Sequence, residues 1–476
     1  MKTKSQKGSI TIYGVLIMIL VTECLLVLLE GARFHTIKTV SKMQTEVALE
    51  AAFANYCYPL WEEYHLLGAY QTDFEMLLSV YGNSRNSGFE WRKNLLETTM
   101  EDVEIESYTL LTDGQGSVFQ NAVADYMKDN IVYETAKVIY SQYEVIADIV
   151  KTGSSEYGDI EDAINQLEDN NAKKRVKTNV NSMQNPLETV KAMQKMGILS
   201  LVIEDAETIS DKEASLSDMV SKRDLNEGKK YELTDSKWLD TILLQQYLLT
   251  YMSSYENPKE NHGLDYELEY ILIGKGSDVE NLKGVANWFL AIRQAANMVY
   301  LLSDAGKVQE AAIVATLLAG VSANPALIEV VKIALLTAWA YGESVLDVRA
   351  LLQGKKIPLL KSKDTWTLQL SGIGSMSNGY ATAKESEYGL SYQNYLGILL
   401  FFLKDSTLTM RAMDMQELTI RQKEGYKGFR YDSLMVQAEA TLVYEYVPAF
   451  DMFEFLKSGF NWNRKIRNKC IYKYSN

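Results

Sequence analysis

Three pairs of acids have a spacing that could support general acid–base chemistry: Glu62 beside Glu63, Glu104 with Glu106, and Glu267 with Glu269. That chemistry needs two carboxyl groups in different environments, so that one holds its proton while the other gives it up. At i,i+2 in an extended segment both acids of a pair share one face, and such faces are most simply solvated. These acids are therefore expected at the surface. The histidines His35, His65 and His262 form no H-E-x-x-H or other close metal spacing, which disfavours a metal-dependent hydrolase. No G-x-S-x-G elbow, phosphate loop or dinucleotide fingerprint occurs. Gly114-Gln115-Gly116 and Gly274-Lys275-Gly276 read as turns, and the glycine-rich stretch from Gly372 to Gly379 reads as a connector. Cys24 lies in an apolar run, while Cys57 and Cys470 read as small buried hydrophobes rather than as a bridge. The sequence nominates no catalytic residue, no cofactor and no metal.

One polar residue stands out by its surroundings. Glu23 sits inside Ile10 to Leu29, twenty residues otherwise free of charge. Twenty residues at about 1.5 Å each match the roughly 30 Å hydrocarbon core of a bilayer. A carboxyl group there costs about 2.5–3.5 kcal/mol on insertion scales, so Glu23 is expected to make an intramembrane polar contact. Lys2, Lys4 and Lys7 precede the run and hold the N-terminus in the cytoplasm, which sends the remainder outside. The run ends Leu29-Glu30-Gly31-Ala32, without the small-x-small pattern of a cleaved secretory signal, and Cys24 has no lipobox before it. Leader processing is expected, if anywhere, between Gly8 and Ser9.

Apolar residues continue at Phe34, Ile37, Val40, Met43, Val47, Ala51 and Ala54, so the membrane helix should run on as an amphipathic spine and end near Pro59. Strands are expected at Val103–Leu110, Leu264–Leu272 and Val436–Tyr446, where side chains alternate, with a shorter one at Trp366–Leu370. The intervening stretches carry helical periodicity. Ser277-Asp278-Val279-Glu280 is a capping-box sequence that should open a helix containing Trp288 and Ile292. Val308–Val321 and Ala326–Tyr341 are apolar but split by Asn324-Pro325 and interrupted by Glu310, Glu329 and Lys332, so they read as core helices rather than spans.

Composition agrees with a folded exported body. Hydrophobic residues make up 47% and charged residues 23%, and six prolines leave room for long regular elements. The net charge of −14 includes basic ends, so the body between them is more acidic still and repels nucleic acid. The expected class is α+β: a basic leader over 1–9, a transmembrane helix over 10–29, a helical spine over 30–70, and an acidic ectodomain over 71–463. That ectodomain should hold a mainly antiparallel sheet and a flexible excursion near 152–181. A solvated basic tail over 464–476 completes it.

Lys7-Gly8-Ser9-Ile10-Thr11-Ile12-Tyr13, followed by the apolar helix, resembles the start of TadE/TadG-like pilin-related proteins of tight-adherence (Flp-type) pili. More of the chain resembles an uncharacterised family of Gram-positive membrane proteins associated with that system. The matching pieces are Leu66-Leu67-Gly68-Ala69-Tyr70, Glu269-Tyr270-Ile271-Leu272-Ile273-Gly274 with Asn281-Leu282, Ile292-Arg293 with Asn297, and Leu346-Asp347-Val348-Arg349-Ala350-Leu351-Leu352. The resemblance implies a non-enzymatic role in pilus or envelope assembly, with the membrane and other assembly proteins as partners, and supplies no active site. Pilins of this type carry a glutamate fifth after the cut; here, counting Ser9 as first, that position is Tyr13, which suits a minor or tip component better than a major pilin. The alternatives are a membrane-tethered adhesin or ligand-binding module and, less well supported, a surface hydrolase.

Overall fold

The computed structural model describes residues 6–83, 96, 98–131, 135–149, 151, 186–230, 237–319, 324–447 and 465–474. The stretch 152–181 expected as a flexible excursion lies outside the described residues. The chain forms two compact units, one from 1–114, 225–234 and 430–476, the other from 115–224 and 235–429. The fold is α+β with a long N-terminal helix, as the sequence implies.

The first unit is built on helix α1, Gln6–Phe53, 48 residues without interruption. Its apolar portion has a mean hydropathy of 2.6 and is not buried within the protein, so α1 is long and apolar enough to cross a membrane. From Arg33 onward one stripe is buried: Arg33, Ile37, Ser41, Thr45, Ala48, Leu49, Ala52 and Phe53. This stripe is not the large-apolar one expected, since Met43 and Val47 are exposed. The hydroxyls of this stripe satisfy themselves on the helix, Thr45 donating to the Ser41 carbonyl at 2.9 Å and Ser41 to that of Lys38 at 3.1 Å. Pro59 does not end α1. It occupies the first turn of α2, Tyr58–Tyr64, where its missing N–H costs nothing.

Short strand β1 (Ala69–Tyr70) and helix α3 (Phe74–Gly82) follow, then strand β2 (Thr98–Leu110). Strand β3 (Leu434–Tyr446) is the centre of the sheet. It pairs antiparallel with β2 along its length, Thr98↔Tyr446 to Leu110↔Met435, with three register shifts. Its other edge takes β1 at Ala69↔Met435 and strand β4 (Lys465–Lys473) from Gln437↔Lys473 to Glu445↔Lys465. One sheet face, with Ala438, Ala440, Leu442 and Tyr444 at its centre, packs with Ala48, Leu49, Ala52 and Phe53 of α1 and with Phe74 and Leu78 of α3. Phe53 stacks on Tyr472 at 4.7 Å and meets Phe74 edge-on at 4.9 Å.

The expected basic tail is therefore corrected: residues 465–473 are a strand. Ile466 and Asn468 point inward and are buried, while Lys465 and Lys469 point to the opposite face and reach acids there. Lys465 lies 2.6 Å from Glu101, and Lys469 lies 2.5 Å from Glu106 and 3.1 Å from Glu439. Basic residues cluster here because the rest of this face is acidic. Cys57 and Cys470 are in no disulfide, and Cys57 Sγ accepts from the Tyr70 hydroxyl at 3.2 Å.

The second unit is helical. It contains α4 (Asp113–Lys128, whose first residues belong to the other unit), α5 (135–149), α6 (Pro186–Lys195), α7 (Ile198–Val202), α8 (Trp238–Tyr251), α9 (Glu267–Ile273), α10 (Asp278–Ser303), α11 (Ala305–Ala319), α12 (Pro325–Leu352), α13 (Tyr392–Phe401) and α14 (Asp405–Arg421). Gly114, Gln115 and Gly116 form the left-handed turn at the head of α4, with φ of 64°, 55° and 86°.

Two strand expectations fail here. Residues 264–272 give helix α9, closed by Gly274 in the left-handed region at φ 77°. Every residue from Glu267 to Leu272 is buried, so burial surrounds this segment and the alternating pattern has no solvent face to mark. Residues 366–370 are not a strand either, because their ladder groups are taken: the Thr367 and Leu368 N–H groups donate to Glu343, and the Leu368 carbonyl accepts from two indoles. The connector expected over 372–379 is largely a 3-10 segment, Leu370–Asn378.

Helix α10 begins at Ser277 as the capping box implies, yet the Ser277 side chain makes no cap bond. The neighbouring Asp278 carboxylate instead accepts from the Asp265 and Tyr266 N–H groups at 3.0 and 3.1 Å. Helix α12 starts with Asn324 capping Ala326 N and Pro325 in its first turn. By length and composition α12 also passes for a membrane span, but all its residues from Ala338 to Leu351 are buried within the unit.

Candidate functional site

Gly8 and Ser9 lie in the first turns of α1. Glu23 follows in its apolar stretch, exposed, with no polar partner among the described residues. The first side-chain ion pair beyond the apolar run joins Arg33 and Glu30 at 2.9 Å, and Arg33 also donates to the Val447 carbonyl at 2.8 Å. Helix α1 thus leaves its apolar stretch and engages the sheet unit within about one turn.

The helical unit concentrates charge where the sequence places apolar helices. Arg293 of α10 and Asp347 of α12 are wholly buried and meet at 2.9 Å. Lys361 closes the circuit with Asp347 at 2.6 Å and with Glu343. Asn297 donates to Asp347 at 2.8 Å, and Arg293 also donates to the Leu359 carbonyl at 2.6 Å and to Tyr395 Oη at 2.9 Å. Two acids, two cations and their neutral partners thereby answer one another without solvent. Charges this deep persist only when paired and hydrogen-bonded. The warning available in sequence was the i,i+4 repetition of polar residues, Arg293 with Asn297 and Glu343 with Asp347, inside apolar helices.

The acid pair Glu267 and Glu269 is fully buried rather than solvated. Glu267 accepts from the Ser253 N–H at 2.9 Å and from the Thr419 hydroxyl at 3.2 Å, with His262 Nδ1 2.9 Å away. Glu269 Oε1 accepts from the Tyr392 hydroxyl at 2.6 Å and the Tyr255 N–H at 3.0 Å, and its Oε2 has no hydrogen-bond partner among the described residues. Burial raises the Glu269 carboxyl pKa to about 7, against those two donors, which lower it. Glu417 takes a bidentate pair from Arg223 at 2.6 and 2.9 Å. Of the other acid pairs, Glu62 and Glu104 are exposed, while Glu106 is bound to Thr441 and to Lys469, whose hydrogen bond holds its pKa below the usual value.

This unit carries an open groove of about 620 Å³. Glu207, Glu256 and Asp265 supply its charge, Tyr255 and Tyr266 its aromatic walls, and no lysine or arginine lines it. Lys212 reaches Asp265 from beside it at 2.6 Å. Burial raises the pKa of Glu256, so this rim acid is partly desolvated. Such a groove attracts cationic or hydrogen-bonding ligands. Among the described residues no group of three or more His, Cys, Asp and Glu side chains could hold a metal ion.

The motif residues sort by role. Arg293, Asn297 and Asp347 form one network, and Asn281 holds both backbone groups of Lys275 at 2.9 Å behind the Gly274 turn. Gly68, beside β1, lies so close to Leu434 that an added Cβ would stand 3.0 Å from that side chain's Cβ. These motifs build structure.

A family model matches the chain over residues 176–446, more than half its length: a family of unknown function (DUF5702). No curated protein and no solved structure matches it.

Proposed function

From the premise that the chain belongs to this family of unknown function, we propose that it is a non-enzymatic, membrane-anchored envelope protein, a minor or accessory component of a Tad-like pilus or secretion assembly. The observation that carries this reading is the continuity of α1, whose first half is exposed and apolar and whose second half is the spine of a sheet unit. A helix of that kind ties a folded body to a bilayer with no flexible stalk between them. Lys2, Lys4 and Lys7 set the N-terminus inside and both units outside. The pilin-like start at Lys7–Tyr13 supports the assembly role, and Tyr13 in place of a glutamate supports an accessory position. Partners are then the membrane and other envelope assembly proteins, with Glu23 available to a polar group on another membrane helix.

The acidic groove favours one second reading, a tethered module that binds a ligand outside the cell.

Carbonate-washed membranes should retain the full chain, and protease added to intact cells should digest its units. Mass spectrometry of the N-terminus then separates the versions. A chain starting at Ser9, with the cut abolished by changing Gly8, supports the pilin-like role, and an uncut chain leaves a plain anchored body. Recovery of the intact chain in the cytosolic fraction would sink the anchored reading.

A further inference from the structure

Lys307 lies in the first turn of α11, whose Gly306 and Lys307 N–H groups donate to the Asp304 carboxylate at 3.0 and 3.2 Å. It makes no ion pair among the described residues. Its ammonium sits instead 4.3 Å from the ring centroid of Trp339 and 4.7 Å from that of Trp366. The two indoles are 5.9 Å apart and nearly perpendicular, at 84°. Tyr300 adds a third ring, 5.1 Å from Trp366. Both indole N–H groups donate to the same Leu368 carbonyl, Trp339 at 2.8 Å and Trp366 at 2.6 Å, which anchors the two rings at one point. The tryptophans are buried, whereas Lys307 is partly exposed, so the site opens to solvent where the lysine enters.

We propose that Trp339 and Trp366, the latter backed by Tyr300, form a binding site for a quaternary ammonium group, and that Lys307 occupies it in the free protein. Two nearly perpendicular indoles suit a cation whose charge is spread over methyl groups. A lysine ammonium is compact and strongly hydrated, and it regains water when it leaves, while a methylated ammonium gives up little on entering. Burial lowers the Lys307 pKa, consistent with a charge held at some cost in hydration. The acids Asp304, Glu310 and Glu343 act on the same charge and would favour any cation that replaced it. Free choline-like solutes and choline lipid headgroups carry the same group.

The test is calorimetric titration of the full chain, in a non-ionic maltoside detergent, with tetramethylammonium chloride against sodium chloride at equal ionic strength. Lys307→Ala, which empties the cage, should lower the half-saturating concentration at least tenfold. Lys307→Arg, which refills it with a cation, should stay at the wild-type value. Should Lys307→Ala fail to fold by circular dichroism, Lys307→Gln keeps the stem and removes the charge. Choline in solution and phosphatidylcholine in maltoside mixed micelles, titrated separately, identify the source of the group. No saturable binding by a folded cage-emptied variant, or binding no tighter than wild type, overturns the proposal.

Discussion

Arg293 and Asp347 stand 54 positions apart in sequence and meet with Nε and Oδ2 at 2.9 Å, both fully buried. This contact ties α10 to α12, and Lys361, Glu343 and Asn297 are drawn in around it. The carboxylates most suggestive of chemistry in this unit are thus committed to internal partners.

Removing one member should expose the cost of that commitment. Arg293→Met leaves Asp347 with a smaller set of donors, and loss of one partner from a buried pair typically costs about 3–5 kcal/mol. Denaturant titration of the full chain checks it, and a loss under about 1 kcal/mol would mean the network is not a staple.

Glu269 predicts a pH dependence. Its pKa is about 7 in the folded chain against the ordinary 4.5, so the folded state holds the proton more tightly. The unfolded state releases its proton first as pH rises, and stability falls through the window from about 4.5 to about 7. Glu269→Gln should match wild type near pH 4.5 and exceed it at pH 8, by up to about 3 kcal/mol. Equal pH profiles for the two chains would refute this assignment.

Gly116 has φ 86°, and a Cβ there would lie 2.4 Å from Thr409 Oγ1. Gly116→Ala combines a left-handed backbone with a clash and should cost about 2 kcal/mol or more. A melting temperature within a degree of wild type would show that the turn relaxes freely.

The C-terminal strand separates two pictures of the basic end. Deleting residues 465–476 uncovers the β3 edge and removes Tyr472 and Tyr474 from beside Phe53. Aggregation or loss of the cooperative transition of the sheet unit is expected, measured by light scattering and thermal melting. An unchanged transition would restore the picture of a solvated tail.

Helix α1, the strands expected at 103–110 and 436–446, and the helix start at Ser277 were legible because each depends on neighbours in the chain: an unbroken apolar run, an alternation, a capping-box sequence. What failed depends on surroundings. The pattern at 264–272 alternates as a strand would, but enclosure on every side removes the contrast that alternation reports, and a short helix forms. Residues 366–370 lose their ladder groups to Glu343 and two distant tryptophans. The basic end is a strand because acids from β2 and β3 lie across the sheet from it, and no local rule carries that information.

The same division holds for function. The sequence by itself determined the apolar helix, the basic flank before it and the acidic body, since hydrophobicity and charge act residue by residue. Only the tertiary structure decided that Glu267 and Glu269 are buried, that Arg293 finds Asp347, and that Lys307 lies over two indole rings. Each of those is a meeting of side chains far apart in the chain, and whether a charge is solvated, neutralised or caged is fixed by what the fold brings against it.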